Sequence, residues 1–171
     1  MSRFLSEALA GHDRSGFSSG YARIDGYFQK IVTQDIKRRY AACYVLIERD
    51  SGAIAGFYTL AANAVDLSAI PADLAARLPR YPTVPAVLLG WLGRSLAFRG
   101  QRIGTLLLAD ALHRFERAMI AAYAVIADPI DDEAAAFYRR HQFSELAGGR
   151  MFLPIATARQ AFAQLGGAGS G

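Results

Sequence analysis

The stretch Phe98-Arg99-Gly100-Gln101-Arg102-Ile103-Gly104-Thr105 decides how this chain is read, because it joins an apolar run to a periodic one. Upstream, Val87-Leu88-Leu89-Gly90-Trp91-Leu92-Gly93 has the continuous apolar character of a buried strand. Downstream, Leu108, Leu112, Phe115 and Met119 recur at helical spacing and predict a helix over Ile103 to Met119. A helix beginning there exposes amides without intrahelical partners and the positive end of its dipole. Gly100 and Gly104 permit a tight turn and close approach, and Arg99 and Arg102 add fixed charge, so the segment suits a pyrophosphate. It lacks the Lys-Ser/Thr ending of a nucleotide P-loop, and its glycines do not have the spacing of the dinucleotide fingerprint.

Working outward, the strand over Ala86 to Gly93 carries Gly90 and Gly93 in its second half, where glycine marks a bulge or the approach of another backbone. A ligand with amides and a pyrophosphate, as CoA has, satisfies strand and loop together. The same glycines would also relieve packing beneath a helix. Beyond the helix, Ala122 to Ala127 reads as a strand, Asp131 to Arg140 as a helix, and Phe143 to Leu146 and Arg150 to Pro154 as strands before a helix near Ala156 to Leu165. Strand, loop, helix, strand implies a parallel pair with a right-handed crossover.

The first half is antiparallel in character. Ala42 to Arg49 and Ala53 to Ala61 flank the turn Asp50-Ser51-Gly52, and a short strand is expected over Ala64 to Leu67. Before them, Ser18 or Ser19 can cap a helix over Ala22 to Lys30 whose face holds Ile24, Tyr27, Phe28 and Ile31, with Thr33 to Arg39 continuing helical. Pro71 to Leu78 reads as a helix with proline in its first turn, followed by an exposed, extended link from Pro79 to Pro85. The class is mixed α/β.

With 171 residues and 53% hydrophobic content, the chain is expected to form one domain over residues 1–165, with a flexible Gly-rich tail at 166–171. The longest apolar runs are too short to span a bilayer, and the first residues lack a secretory pattern, so a cytoplasmic location without membrane attachment is expected. One cysteine, Cys43, and three scattered histidines predict no metal site. Net charge is +4, and 17 of the 19 basic residues are arginine, which favours anionic ligands without naming one.

Tyr138 lies in Ala134-Ala135-Ala136-Phe137-Tyr138-Arg139-Arg140, on a helix led by Asp131-Asp132-Glu133. A phenol near pKa 10 is protonated at neutral pH and can give its proton to a departing thiolate, although a Phe-Tyr pair also serves as core.

Taken together, the Arg99 to Gly104 loop, the Phe137-Tyr138 helix and the Gln142-Phe143 turn resemble the GCN5-related N-acetyltransferase (GNAT) superfamily over most of the chain. Its acetyl-CoA signature runs Arg or Gln, two residues, Gly, one residue, Gly or Ala. Arg99 and Gly104 match it, Arg102 stands at the middle glycine, and Asp131 stands where the family often has Asn. The resemblance implies a GNAT fold, a central, mostly antiparallel sheet with one parallel strand pair and flanking helices. It implies acetyl-CoA bound by Leu92, Gly93, Arg94, Arg99, Gly100, Gln101, Arg102, Ile103, Gly104, Thr105, Asp131 and Phe137, with Tyr138 as catalytic acid.

His12-Asp13-Arg14-Ser15-Gly16-Phe17, Gln34-Asp35-Ile36-Lys37-Arg38-Arg39, Gly56-Phe57-Tyr58-Thr59-Leu60 and Val87-Leu88-Leu89-Gly90 narrow the resemblance to the toxin branch of bacterial toxin–antitoxin pairs. That branch implies acetylation of the α-amino group of aminoacyl-tRNA, arrest of translation and a ribbon-helix-helix antitoxin, and leaves room for a homodimer. The branch pattern Gly-Arg-Leu-Ala is replaced by Gly90-Trp91-Leu92-Gly93. Lys30, Lys37, Arg38, Arg39, Arg77 and Arg80, with Arg139 and Arg140, could track tRNA phosphates by charge, or simply form solvated faces. Two other readings stand beside this one: an acetyltransferase for a small amine or a protein, and a non-catalytic acyl-CoA or nucleic-acid binding module suggested by Arg102 and Trp91.

Overall fold

The computed structural model describes residues 2–166; the expected tail beyond Gly166 lies outside them. Seven strands, β1 (Phe4–Ala8), β2 (Ala42–Glu48), β3 (Ile54–Asp66), β4 (Thr83–Arg94), β5 (Ala124–Ala127), β6 (Ser144–Glu145) and β7 (Met151–Pro154), form one sheet in the order β1-β2-β3-β4-β5-β7-β6. The β1/β2, β2/β3, β5/β7 and β6/β7 pairs are antiparallel. Strands β4 and β5 are the expected parallel pair. The helices are α1 (Ala22–Gly26), α2 (Val32–Lys37), α3 (Ala72–Ala75), α4 (Ile103–Glu116), α5 (Asp132–Arg140) and α6 (Ile155–Gly166).

Contacts group the chain into two compact units, one of residues up to Ala61 with Leu89–His113, the other of Ala62–Leu88 with Arg114 onward. The first has its core in Phe17, Ile24, Tyr27, Phe28, Val32, Val45 and Phe57. Phe57 is locked there, stacked on Phe28 at 4.0 Å and met edge-on by Phe17 at 5.6 Å. Between α1 and α2 the backbone makes one π-helical turn, Tyr27–Ile31. The wider turn shifts the phase of the apolar face, so Val32 is buried while Ile31, expected in the core, is 49% exposed. The cap also differs from expectation. No side chain caps α1; Ser19 instead gives its N–H and hydroxyl to Asp25 at 2.8 and 2.7 Å.

Strand β1 is absent from the sequence reading, because Phe4-Leu5-Ser6-Glu7-Ala8 is short and weakly patterned. It forms by pairing along β2, from Phe4 opposite Glu48 to Ala8 opposite Tyr44. The two strands expected at Ala53 to Ala61 and Ala64 to Leu67 are one, β3, since Ala62 and Asn63 do not break the extended backbone.

In the second unit the core holds Val65, Ile70, Val84, Ala124, Ile126, Leu146 and Phe152. Tyr123 donates its N–H to Pro85 O at 2.8 Å, so the proline link expected to be exposed enters β4 at Thr83. The helix expected at Pro71 to Leu78 is a single turn, α3. Helix α4 stops at Glu116, and Met119, expected on its core face, is fully exposed.

Candidate active site

The first unit carries the loop. Ser95 is buried, donates its N–H to Ala55 O at 2.8 Å and accepts from Ala97 N–H, which starts a 3₁₀ turn over Leu96–Phe98. Phe98 is buried edge-on against Phe4 at 5.9 Å, and Arg3 donates to the Gln101 side chain at 2.8 Å. Strand β1 and the residue before it therefore anchor the loop. Gln101 is held by these contacts, its own N–H bonded to Phe98 O at 3.2 Å, so its side chain also braces the loop.

Gly100 has φ +79° and Arg102 φ +57°. The left-handed conformation at 102 explains why a glycine is expected there; here an arginine adopts it. The first intrahelical bond of α4 runs from Leu106 N–H to Arg102 O, which leaves the amides of Ile103 and Gly104 without intrahelical partners at the helix head. Arg99 and Arg102 are exposed and make no side-chain hydrogen bond or ion pair among the described residues. Two guanidinium groups and two amides thus surround one turn of positive-φ backbone, the chemistry of a pyrophosphate seat.

On β4, Leu92 is half-buried, Gly93 buried and Arg94 exposed. A Cβ at Gly93 would lie 2.6 Å from Phe57 Cε1 and 2.8 Å from Ile24 Cγ2, so glycine at this position is required by packing beneath α1. Similarly, a Cβ at Gly56 would lie 2.6 Å from Leu107 Cδ1 and 2.9 Å from Gly93 O, which accounts for the glycine that opens Gly56-Phe57-Tyr58-Thr59-Leu60. In the His12 to Phe17 motif, Arg14 donates to Phe28 O and to Thr33 Oγ1, and Phe17 is buried. These motif residues hold the α1–α2 segment against its core.

The second unit carries Tyr138 on α5. Asp131 is the N-cap, accepting from Ala134 N–H at 2.8 Å, which gives the acid at this position a structural duty. At the other end Gln142, at φ +70°, donates to Arg139 O while Phe143 donates to Tyr138 O, both at 3.1 Å. This pattern closes a helix on a left-handed residue. The Tyr138 ring is buried between Phe137 and Phe143, with centroids at 5.4 and 5.1 Å. Burial, reinforced by the negative charge of Asp128, holds its phenolic proton well above the ordinary tyrosine range. Asp128 is itself clamped by Arg150 through two bonds of 2.8 and 2.9 Å. Nothing in the spacing of residues 128 and 150 signals that pair in sequence.

Lys30, Lys37, Arg38 and Arg39 are exposed together on the α1–α2 segment, and Arg77 and Arg80 are exposed after α3. Arg139 is instead paired with Glu145 at 2.7 Å. Cys43 is buried, and burial pushes its thiol up to about 12. No group of three or more His, Cys, Asp or Glu side chains that could hold a metal occurs among the described residues, and none of the helices there is long and apolar enough to cross a membrane.

A mixed sheet whose one parallel strand pair is bridged by a charged, positive-φ loop and a helix defines the GNAT class of fold. No protein-family model matches the chain. The probable toxin TacT of Sinorhizobium fredii is 30% identical over 159 residues, covering 86% of this chain and 88% of that protein. The tRNA-acetylating toxin of Mycobacterium tuberculosis is 32% identical over 133 residues, 77% of this chain and 78% of that protein. Among solved structures, a Tyr→Phe variant of KacT superposes with TM-score 0.85 at 21% identity, covering 93% of this chain and 99% of its own. AtaT complexed with acetyl-methionyl-tRNAfMet gives TM-score 0.84 at 21% identity with the same coverage. The chain belongs to the GNAT toxin family of acetyltransferases.

Proposed function

We propose that the chain transfers the acetyl group of acetyl-CoA directly to the α-amino group of an aminoacyl-tRNA, and so blocks translation as the toxin of a toxin–antitoxin pair. The observation that carries this reading is the head of α4. There Gly100 and Arg102 at positive φ turn the chain so that the Ile103 and Gly104 amides and the Arg99 and Arg102 side chains can receive a pyrophosphate. The acceptor is supported by the relative named for tRNA acetylation and by the AtaT complex.

In this reading a backbone N–H at Leu92 or Gly93 donates to the thioester carbonyl oxygen, and Arg94, Gly100, Gln101, Thr105, Asp131 and Phe137 complete the acetyl-CoA seat. The amine nitrogen attacks the carbonyl carbon, the carbon–sulfur bond breaks, Tyr138 gives its phenolic proton to the sulfur, and the ammonium proton leaves to water. The phenol regains its proton from solvent. An α-amino group with a reference pKa of about 7.7–8.0 is already partly neutral, so no protein base is assigned. Cys43, buried with its thiol held neutral, forms no acyl-enzyme. Lys30, Lys37, Arg38, Arg39, Arg77 and Arg80 follow tRNA phosphates by charge. Both compact units serve one catalytic domain over residues 1–165, in the cytoplasm, with a ribbon-helix-helix antitoxin and a second copy of the chain as partners.

The test is purified protein with labelled acetyl-CoA and a full set of charged tRNAs. Label in acid-precipitable aminoacyl-tRNA for at least one amino acid is expected. CoA release with polyamines or peptides and none with any charged tRNA would overturn the reading in favour of a small-amine or protein acceptor.

A further inference from the structure

Trp91, which stands where the toxin-branch pattern has arginine, is built into a stack. Its backbone N–H donates to Thr59 Oγ1 at 2.9 Å, and the Tyr27 ring lies parallel to the indole at 4.2 Å and 7°. The Tyr27 hydroxyl is tied to Asp35 at 2.9 Å. The Arg23 guanidinium lies over the same indole, 5.6 Å from the ring centroid. Arg23 and Tyr27 stand one turn apart, and the π-helical turn begins at Tyr27; such turns recur at functional sites.

Arg23 is exposed, and the indole is its one partner among the described residues. The nearby acids are engaged elsewhere, Asp25 with Ser19 and Asp35 with Tyr27. No hydrogen bond or ion pair among the described residues engages the five N–H donors of Arg23. The stack therefore orients a cation and leaves its whole donor fork for an anion. Its place says which anion. Ile24, the next residue, abuts Gly93, and Trp91 precedes the Leu92–Gly93 amides. Arg23 thus stands beside the end of β4 whose amides are proposed to polarise the thioester.

We propose that Arg23, held over Trp91, binds the terminal phosphodiester of the acceptor nucleic acid and positions the aminoacyl end at the thioester. The strand arginine missing at position 91 is in this way supplied from α1. The inference rests on the aminoacyl-tRNA reading above. Lys30, one further turn pair along the same segment and also exposed, extends the basic track.

The test compares two acceptors, an aminoacyl-tRNA and the corresponding aminoacyl-adenosine, which has the same amine and ribose but no phosphate. Arg23→Ala is expected to lower the ratio of kcat/KM for the tRNA over that for the adenosine ester about tenfold, with KM for acetyl-CoA unchanged. Arg23→Lys should restore part of the ratio, since it returns charge without the flat fork. Trp91→Leu should lower the same ratio, and the Arg23→Ala, Trp91→Leu pair should be no worse than Arg23→Ala alone. An unchanged ratio in Arg23→Ala overturns the inference, as does a rise in the KM of acetyl-CoA, which would assign the guanidinium to a CoA phosphate. Failure of the unaltered protein on both acceptors would instead sink the parent reading.

Discussion

Phe143 holds Tyr138 twice, by a backbone bond from its N–H to Tyr138 O at 3.1 Å and by an edge-on ring contact at 5.1 Å and 61°. The left-handed residue between the helix and Phe143 is Gln142, at φ +70°. The turn that ends α5 is thus also the device that fixes the Tyr138 ring, so the Gln142-Phe143 pair would set the position of the proposed acid.

Tyr138→Phe keeps the ring and both contacts and removes only the proton. Turnover should fall about 100-fold or more, in the range of a lost general acid, while the dissociation constant for acetyl-CoA stays the same. Because burial and Asp128 raise the phenol's pKa, kcat should show no alkaline fall up to about pH 9.5. Loss of activity centred below pH 9 would mean that Tyr138 is not the donor.

Arg102→Gly separates backbone from side chain. A non-glycine residue at φ +57° is strained, and relieving it should stabilise the protein by about 1 kcal/mol. If the side chain meets the pyrophosphate, acetyl-CoA affinity should drop about tenfold in the same variant. Calorimetry would read both. A more stable protein with unchanged affinity would make Arg102 a bystander.

Gly93→Ala should destabilise by about 1–3 kcal/mol, because its Cβ would enter a space filled by Phe57 and Ile24. Phe57 cannot give way, being stacked on Phe28. A fall of several degrees in Tm is expected for a chain of this length. An unchanged Tm would show that the strand shifts to accept a methyl.

What could be read in the sequence followed from local pattern. The apolar run before Gly93 and the spacing of Leu108, Leu112 and Phe115 specify β4 and α4, and Arg99 to Gly104 specifies the turn between them. Features decided by distant pairing were not legible. Strand β1 exists because β2 offers an edge, and its Phe4 and the preceding Arg3 brace the loop from nearly a hundred residues away. The π-helical turn that exposes Ile31 leaves no signature in periodicity. Trp91 was visible as a departure from pattern, but Arg23 was not, since only the fold lays one upon the other. Gly93 was ambiguous for the same reason: a missing side chain looks alike whether a ligand or a phenylalanine fills the space.

Cys43 gives a pH-dependent prediction that involves no ligand. Burial pushes its thiol from 9.0 up to about 12, with Arg14 offsetting a little. In the unfolded chain the thiol ionises near that ordinary value of 9.0, whereas the folded state keeps it neutral. The folded pKa is the raised one, so the stabilisation is fully present below the unfolded value and is lost as pH rises toward about 12. By linkage this thiol alone should remove about 2 kcal/mol of stability between pH 8 and pH 10.5. Cys43→Ala removes the ionisable group and leaves the tyrosines and lysines in place, so it should lose about 2 kcal/mol less than the unaltered protein over that interval in urea unfolding. Parallel losses in the two proteins would show that the thiol ionises in the folded state, and with it that Cys43 is open to solvent.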